Sequence, residues 1–344
     1  MANCSNCWIE PTQITQIVNV VISVAVGCIM IALVLFGNTL VCLAIKRERA
    51  LKQPQNLLIV SLAIADLIIG ALVLPLAVIS EIQNGWYMGD ILCELWKACD
   101  VLGCTASIIS ICTISIDRYL SIRVPVVYGK YRTFHYMRIT IFFTWLISLV
   151  ISSPPLFGWK TQIDVPNQCG YPLDRLGYII YSNIFSFYLP CAIMVTLYIC
   201  IFRLAKTHYR KRTAISSIVT FTTPSAVLHN KDIPKKNLLP LSATPSINDN
   251  SSEMIRIKIK RKKEKRAVLV LGVVIGTFIF CWLPFFVIYP AVALCGDACA
   301  HPMLDFLLKI ATYLGWGNSC LNPIIYTIFN QDFRNAFHKI IQLK

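Results

Sequence analysis

Residues 100–119 read DVLGCTASIISICTISIDRY. Asp100 opens the stretch and Asp117-Arg118-Tyr119 closes it, and every residue in between, 101–116, is uncharged. From Asp100 to Arg118 is 18 steps, or five turns at 3.6 residues each, so both lie on one face of a helix about 27 Å apart. The stretch is the centre of a longer apolar segment, 91–123. That length is enough to cross a bilayer core of about 30 Å. Ionisable groups inside such a segment are costly and usually functional. Asp100 falls about one-third of the way in from one face and Arg118 at the other.

Six further segments read the same way, giving spans over 16–45, 53–81, 91–123, 136–158, 175–205, 266–293 and 303–329. Seven such segments with short polar gaps are not the pattern of one buried soluble helix. Composition agrees: 56% of the 344 residues are apolar and 14% charged, against about 45–50% and 25% in soluble domains. The apolar content excludes disorder, and 15 Gly and 17 Pro without a period exclude collagen-like and coiled-coil chains. The net charge of +15 does not indicate nucleic acid, because so little charge could not keep this apolar mass in water. The expected fold is an all-α integral membrane bundle of seven helices.

The positive-inside rule sets orientation. One set of gaps holds Lys46, Arg47, Arg49 and Lys52, then Arg123, Lys130, Arg132 and Arg138, then Lys206, Arg210, Lys211 and Arg212, and the run from Arg256 to Arg266. The opposite set holds Lys160 and Arg175 beside Glu81, Asp90, Asp164, Asp174 and Asp297. The N-terminus, 1–15, is therefore expected outside and the C-terminus inside, at the plasma membrane. Met1–Glu10 lacks the pattern of a signal peptide, so the first span is expected to direct insertion. Cys93, Cys169, Cys295, Cys299, Cys4 and Cys7 fall outside, where disulfides persist. The other nine cysteines lie within spans and read as small buried apolar residues. Asn3-Cys4-Ser5 fits a glycosylation sequon.

Residues 209–257 form the only long polar gap. Pro224, Pro234, Pro240 and Pro245 with scattered Ser, Thr and Asn predict a flexible loop. It ends in a basic helical lead-in, Ile255 to Arg266, that suits anionic lipid or an acidic partner. Span two carries Asp66. No Lys or Arg occurs in the outer half of a span other than the third except Lys309 and, at the very edge of the fifth, Arg175, which makes a cation from solvent the natural partner for Asp100.

In order along the chain stand Gly37-Asn38, Leu62-Ala-Ile-Ala-Asp66, Cys93, Asp117-Arg118-Tyr119, Trp145, Pro190, Tyr198, Phe278-x-x-Cys-Trp-Leu-Pro284 and Asn322-Pro323-Ile-Ile-Tyr326. Phe329-Asn-Gln-Asp-Phe333 then leads into a short amphipathic eighth helix over 330–344. Together these motifs resemble the rhodopsin-like (class A) G-protein-coupled receptors over essentially the whole chain. The resemblance implies a Cys93–Cys169 bridge, with Cys295 and Cys299 a candidate second pair. It assigns Asp66, Ser107, Asn318, Ser319 and Asn322 to an internal sodium pocket, with no other metal or cofactor; a hydrogen-bond network between helices is the compatible alternative. It pairs Arg118 with Glu264, and makes Ile108, Pro190 and Phe278 a packing switch beneath Trp282. Asp117, Tyr119, Val126, Tyr198 and Tyr326 complete the implied coupling surface for a heterotrimeric G protein. Pro190, Pro284 and Pro323 remove backbone bonds and leave points of bending.

Asp100-Val-Leu-Gly-Cys-Thr-Ala-Ser107 resembles the aminergic subfamily, in which this aspartate takes the ligand's ammonium. The implied site is Asp100, Val101, Cys104, Ser182, Ser186, Trp282, Phe285, Phe286, Tyr289 and Trp316. Ser182 and Ser186 are four apart, hence stacked, and could meet ring hydroxyls; the competing expectation is a bond back to their own helix. Two departures stand out. The subfamily's Trp-x-Gly-Tyr is here Tyr313-Leu-Gly-Trp316, and Asn183 lies beside Ser182. A phenolic or catecholic amine such as dopamine, octopamine, tyramine or noradrenaline is favoured, with serotonin and histamine open. A short tail without Cys after Cys320 predicts no palmitoyl anchor and places kinase and arrestin control on the third loop. That loop and tail resemble inhibitory-type receptors somewhat more than stimulatory ones. Trp316 stands where an opsin needs lysine. A peptide or lipid receptor would have no need of Asp100. No internal repeats suggest a transporter, and no HExxH or paired in-membrane carboxylates suggest an enzyme.

Overall fold

A computed structural model describes residues 11–154, 169, 176–221, 247–295 and 302–342; within these, the side chains of 11–15, 178, 205, 208–221, 247–265, 267 and 302 lie outside the description. Every described element is helical. α1 is Pro11–Arg47, α2 Asn56–Gln83, α3 Asp90–Arg123, α4 the short Pro125–Tyr131 and α5 Phe134–Ser152. α6 runs from Leu176–Asn183 through a π turn into Leu189–Phe221; α7 is Ile247–Cys295, α8 Pro302–Phe329 and α9 Gln331–Gln342.

Six helices are long and apolar enough to cross a membrane, by length and composition: α1, α2, α3, α5, α6 and α7. The seventh span, α8, has 28 residues, but Asn318, Ser319, Asn322 and Pro323 dilute its apolar content. Those residues are not at odds with a membrane setting, because the three polar ones are buried against the other helices. The bundle is polar within and apolar without. Asn38, Asp66, Ser107, Ser110 and Ser115 are buried, whereas Phe36, Phe142 and Phe280 are 65%, 63% and 70% exposed. In lipid, this arrangement satisfies polar groups internally and leaves an apolar belt.

Two π turns, Ile69–Val73 in α2 and Ile184–Tyr188 in α6, each sit just before a proline, Pro75 and Pro190. Proline has no N–H and crowds the carbonyl one turn back; the wider π register accommodates that loss. α2 ends on Asn84 at φ 51° and α3 begins after Gly89 at φ 86°, a left-handed turn closed by the Trp86 Nε1–H donating to the Gly89 carbonyl at 3.0 Å. Trp145 on α5 donates to Ser61 Oγ on α2 at 3.0 Å, tying the two helices behind α3.

Two boundaries differ from the sequence reading. The fourth span was expected over 136–158, but α5 ends at Ser152, because Pro154 and Pro155 follow and a helix stops before prolines. The gap at 209–257 was expected to be a flexible loop ending in a helical lead-in from Ile255. Instead α6 continues to Phe221 and α7 starts at Ile247. Residues 209–221 and 247–257 contain no Gly or Pro; the helix-breaking prolines are confined to 222–246, which lies outside the described residues. α9 carries the expected amphipathic pattern, burying Phe333, Ala336 and Phe337. Its start is held by Asn330 Oδ1 accepting the Asp332 N–H at 3.0 Å.

Candidate functional site

The end of the bundle that carries the Cys93–Cys169 disulfide is called here the disulfide end, and the opposite one the basic end. Below the disulfide end a cavity opens between α3, α6, α7 and α8. All ten side chains expected at the ligand site line it, joined by Thr105, Ile108 and Thr312. Asp100 is 5% exposed. Its Oδ1 accepts the Trp316 Nε1–H at 2.8 Å and the Cys104 thiol at 3.3 Å. Trp316 stands edge-on to Trp96 (6.4 Å between centroids) and to Tyr313 (5.4 Å). Trp96 is itself fixed by donating to the Val73 carbonyl at 3.0 Å, a carbonyl in the π turn of α2.

The aromatic wall is a chain of contacts. Phe285 stacks on Tyr289 at 5.3 Å, and Trp282 meets Phe285 edge-on at 6.0 Å. Phe286 stacks at 4.3 Å on Phe187, which lies 6.0 Å from Phe278. Phe187 was not singled out by sequence, since one Phe in an apolar run carries no chemical signal. Gly315 makes room for Trp282: a Cβ there would stand 2.7 Å from its ring. Across the cavity, Ser186 Oγ accepts from Thr105 on α3 at 3.4 Å. Ser182 instead donates to the Ile179 carbonyl at 3.2 Å, the bond back to its own helix, while still facing the cavity. Lys309 is taken by Glu81 at 2.7 Å, and Lys97, buried on α3 one turn before Asp100, pairs with Glu94 at 2.8 Å.

Midway down, Asp66 on α2 ties in α3 and α8. Its Oδ1 accepts Ser319 (2.9 Å) and Ser107 (3.3 Å), and its Oδ2 accepts Asn322 Nδ2–H at 2.8 Å. Asn318 is buried one turn earlier on α8, with no bond to Asp66 among the described residues. Asn38 joins from α1, donating to the Ser319 carbonyl at 3.1 Å; it was legible as part of Gly37-Asn38.

At the basic end Asp117 is clasped by Arg132. Nε–H donates to Oδ1 at 2.8 Å and Nη2–H to Oδ2, while the Tyr128 hydroxyl donates to Oδ1 at 3.1 Å. Sequence reading treated Arg132 only as a topology charge and passed over Tyr128; the signal was that the acid of Asp117-Arg118-Tyr119 needs a cation other than its neighbour. Tyr119 accepts from Arg123 at 3.0 Å, Arg118 is half-buried, and Val126 is 76% exposed on α4. Tyr198 packs against α7 where Gly272 lacks a side chain, and Tyr326 stacks on Phe333 at 5.5 Å. The expected Arg118–Glu264 pair lies outside the described residues, as the Glu264 side chain does. Cys295 is disulfide-bonded; Cys299, Cys4, Cys7 and Asn3 fall outside the described residues.

A profile of the 7 transmembrane receptor (rhodopsin family) matches residues 37–326. The chain is 37% identical to the alpha-2A adrenergic receptor of Danio rerio, over 99% of this chain and 97% of that one. It is 35% identical to the 5-hydroxytryptamine receptor 1A-alpha of Takifugu rubripes, over 94% and 88%. To the probable G-protein coupled receptor No18 of Amphibalanus amphitrite it is 37% identical, over 93% and 90%. The chain belongs to the rhodopsin family of seven transmembrane receptors. It is a multi-pass membrane receptor, not an enzyme.

Proposed function

We propose that this chain is a receptor for a small protonated aromatic amine, which it reports to a heterotrimeric G protein. The observation that carries the reading is Asp100: a carboxylate within an apolar span, facing a cavity walled by Trp282, Phe285, Phe286, Tyr289 and Trp316. Trp316 and Cys104 orient the carboxylate without adding positive charge, so an ammonium gains a charge-assisted bond there. The rings suit an aryl group, and Ser186 with Thr105 offers hydroxyls at the far wall. Relatives named for 5-hydroxytryptamine and adrenergic ligands support the class; a phenolic or catecholic amine is the favoured member.

The disulfide end faces outward and the basic end inward, as the Lys and Arg asymmetry requires. Arg118, Val126, Tyr198 and Tyr326 then front the G protein, and kinases and arrestin act on the loop between α6 and α7. Asp66, Ser107, Ser319 and Asn322 would hold a sodium ion, whose hard charge suits carboxylate, hydroxyl and amide oxygens. Their present bonds all run toward the carboxylate, so on binding the hydroxyls and amide turn oxygen inward.

The test is a panel of biogenic amines on cells expressing the chain, read by cyclic AMP and calcium. Wild-type receptor responds and Asp100→Ala does not. An undiminished response in Asp100→Ala removes the site assignment.

A further inference from the structure

Resting on the reading of Asp100 as the amine anchor, we propose that this cavity selects a tertiary, N-methylated aromatic ammonium over the corresponding primary amine, with Trp316 setting that preference. A primary ammonium brings three N–H donors, and each one buried without an acceptor costs free energy. Trp316 and Cys104, which bond the Asp100 carboxylate at 2.8 and 3.3 Å, act there as donors. An indole N–H cannot accept. Trp316 therefore competes with the ligand's hydrogens for the carboxylate instead of adding an oxygen to receive them.

Thr312 lines the same cavity and directs its own proton to the Leu308 carbonyl at 2.9 Å, leaving lone pairs for one N–H. Ser182 and Ser186 stand on α6, across the cavity. Among the described residues, Trp316 and Cys104 already occupy Asp100 Oδ1, so a primary ammonium must fit three donors to the acceptor positions that remain, whereas a tertiary ammonium has one N–H to give to Asp100. Its methyl groups meet Val101 and the rings that line the cavity, and aromatic faces attract alkylated cations. The indole cannot readily swing aside to expose a different edge. Trp96 and Tyr313 flank it edge-on at 6.4 and 5.4 Å.

The experiment uses purified full-length receptor and its melting temperature as a function of concentration for four probes: tyramine and its N-methyl, N,N-dimethyl and N,N,N-trimethyl derivatives. A ligand that binds the folded state raises the melting temperature by an amount that grows with the logarithm of its concentration over its dissociation constant. In wild type the dimethyl compound binds tighter than tyramine by about three- to tenfold, and the trimethyl compound, lacking an N–H, falls below it. Trp316→Tyr supplies a phenol oxygen that accepts, and brings tyramine level with or ahead of the dimethyl compound. Trp316→Phe removes the competing N–H without adding an acceptor, so it narrows the wild-type preference without reversing it, which covers the case where Trp316→Tyr does not fold; an undiminished preference in folded Trp316→Phe overturns the proposal. Tyramine binding as tightly as the dimethyl compound in wild type, or an order unchanged in folded Trp316→Tyr, overturns the proposal while leaving Asp100 as anchor. Absence of any shift with all four probes on folded wild type overturns the amine reading itself.

Discussion

Helix α3 carries two buried aspartates, Asp100 at 5% and Asp117 at 3% exposure, and they are held in opposite ways. Asp100 accepts from Trp316 and Cys104 and borders an open cavity. Asp117 is gripped by the Arg132 guanidinium through both oxygens, with Tyr128 as a further donor. At the basic end the chain supplies the countercharge from its own loop. Beside the cavity, the indole and thiol bring hydrogen bonds without charge. The difference does not come from α3 itself but from what packs on it: an indole from α8 in one place, a guanidinium beyond α4 in the other. A carboxylate of the first kind gains most from a cation that arrives, and one of the second kind gains most from the fold.

Replacing each acid by Asn should separate the two roles most widely. Asp100→Asn keeps an oxygen to accept the Trp316 N–H but removes the charge, so affinity for an aromatic amine falls about a hundredfold while the melting temperature stays near wild type. Asp117→Asn leaves the guanidinium of Arg132 without its partner, so the melting temperature drops and amine affinity moves by less than about threefold. Ligand titration by thermal shift on both variants gives the two numbers together. Equal effects on affinity would break the contrast.

Next in size is Arg132→Ala, which strands a buried carboxylate. Removing one partner of a buried pair costs several kcal/mol; with Arg132 at 20% side-chain exposure, a loss of about 2–3 kcal/mol is expected. A double-mutant cycle with Asp117→Asn measures the coupling, and additive effects would mean the two side chains do not act on each other. Gly315→Ala is expected to be smaller in stability but to reach the cavity. Its Cβ would stand 2.7 Å from the Trp282 ring, so the ring shifts and amine affinity falls severalfold, by about 1 kcal/mol. Unchanged affinity would show that the position of Trp282 does not shape the cavity.

How the two acids differ was only half legible in the sequence. Depth followed from the rise per residue, and the 18-residue spacing put Arg118, rather than Asp117, on the face of Asp100, because helical geometry is local arithmetic. The tryptophan at 316 and its donor-only chemistry were visible too, since a motif shows a departure at a known position. Arg132 was not assigned to Asp117, because its role depends on α4 turning the chain back beneath α3, a tertiary event with no periodic signature. Phe187 was missed for a related reason: packing partners of identical chemistry are chosen by shape. The ends of α6 and α7 were hidden by averaging one composition over 209–257, where the prolines alone mark the real boundary.

The smallest effect belongs to Tyr128→Phe, and it tests what kind of force holds Asp117. Burial, and then the nearby Asp117 carboxylate, push the Tyr128 phenol above its ordinary pKa, so the hydroxyl stays protonated and remains a donor. The substitution removes that one bond of 3.1 Å. It keeps the ring, which lies 6.0 Å from the Arg132 guanidinium and 6.4 Å from Tyr136. A single hydrogen bond to a charged acceptor that keeps its cation is worth about 1 kcal/mol, so the melting temperature should fall less than in Arg132→Ala. In the Arg132→Ala background the same change should cost more, because the phenol is then the chief donor left to a buried charge. If Tyr128→Phe alone costs as much as Arg132→Ala, hydrogen bonding and not the guanidinium charge secures Asp117. The two aspartates of α3 would then be held by the same force.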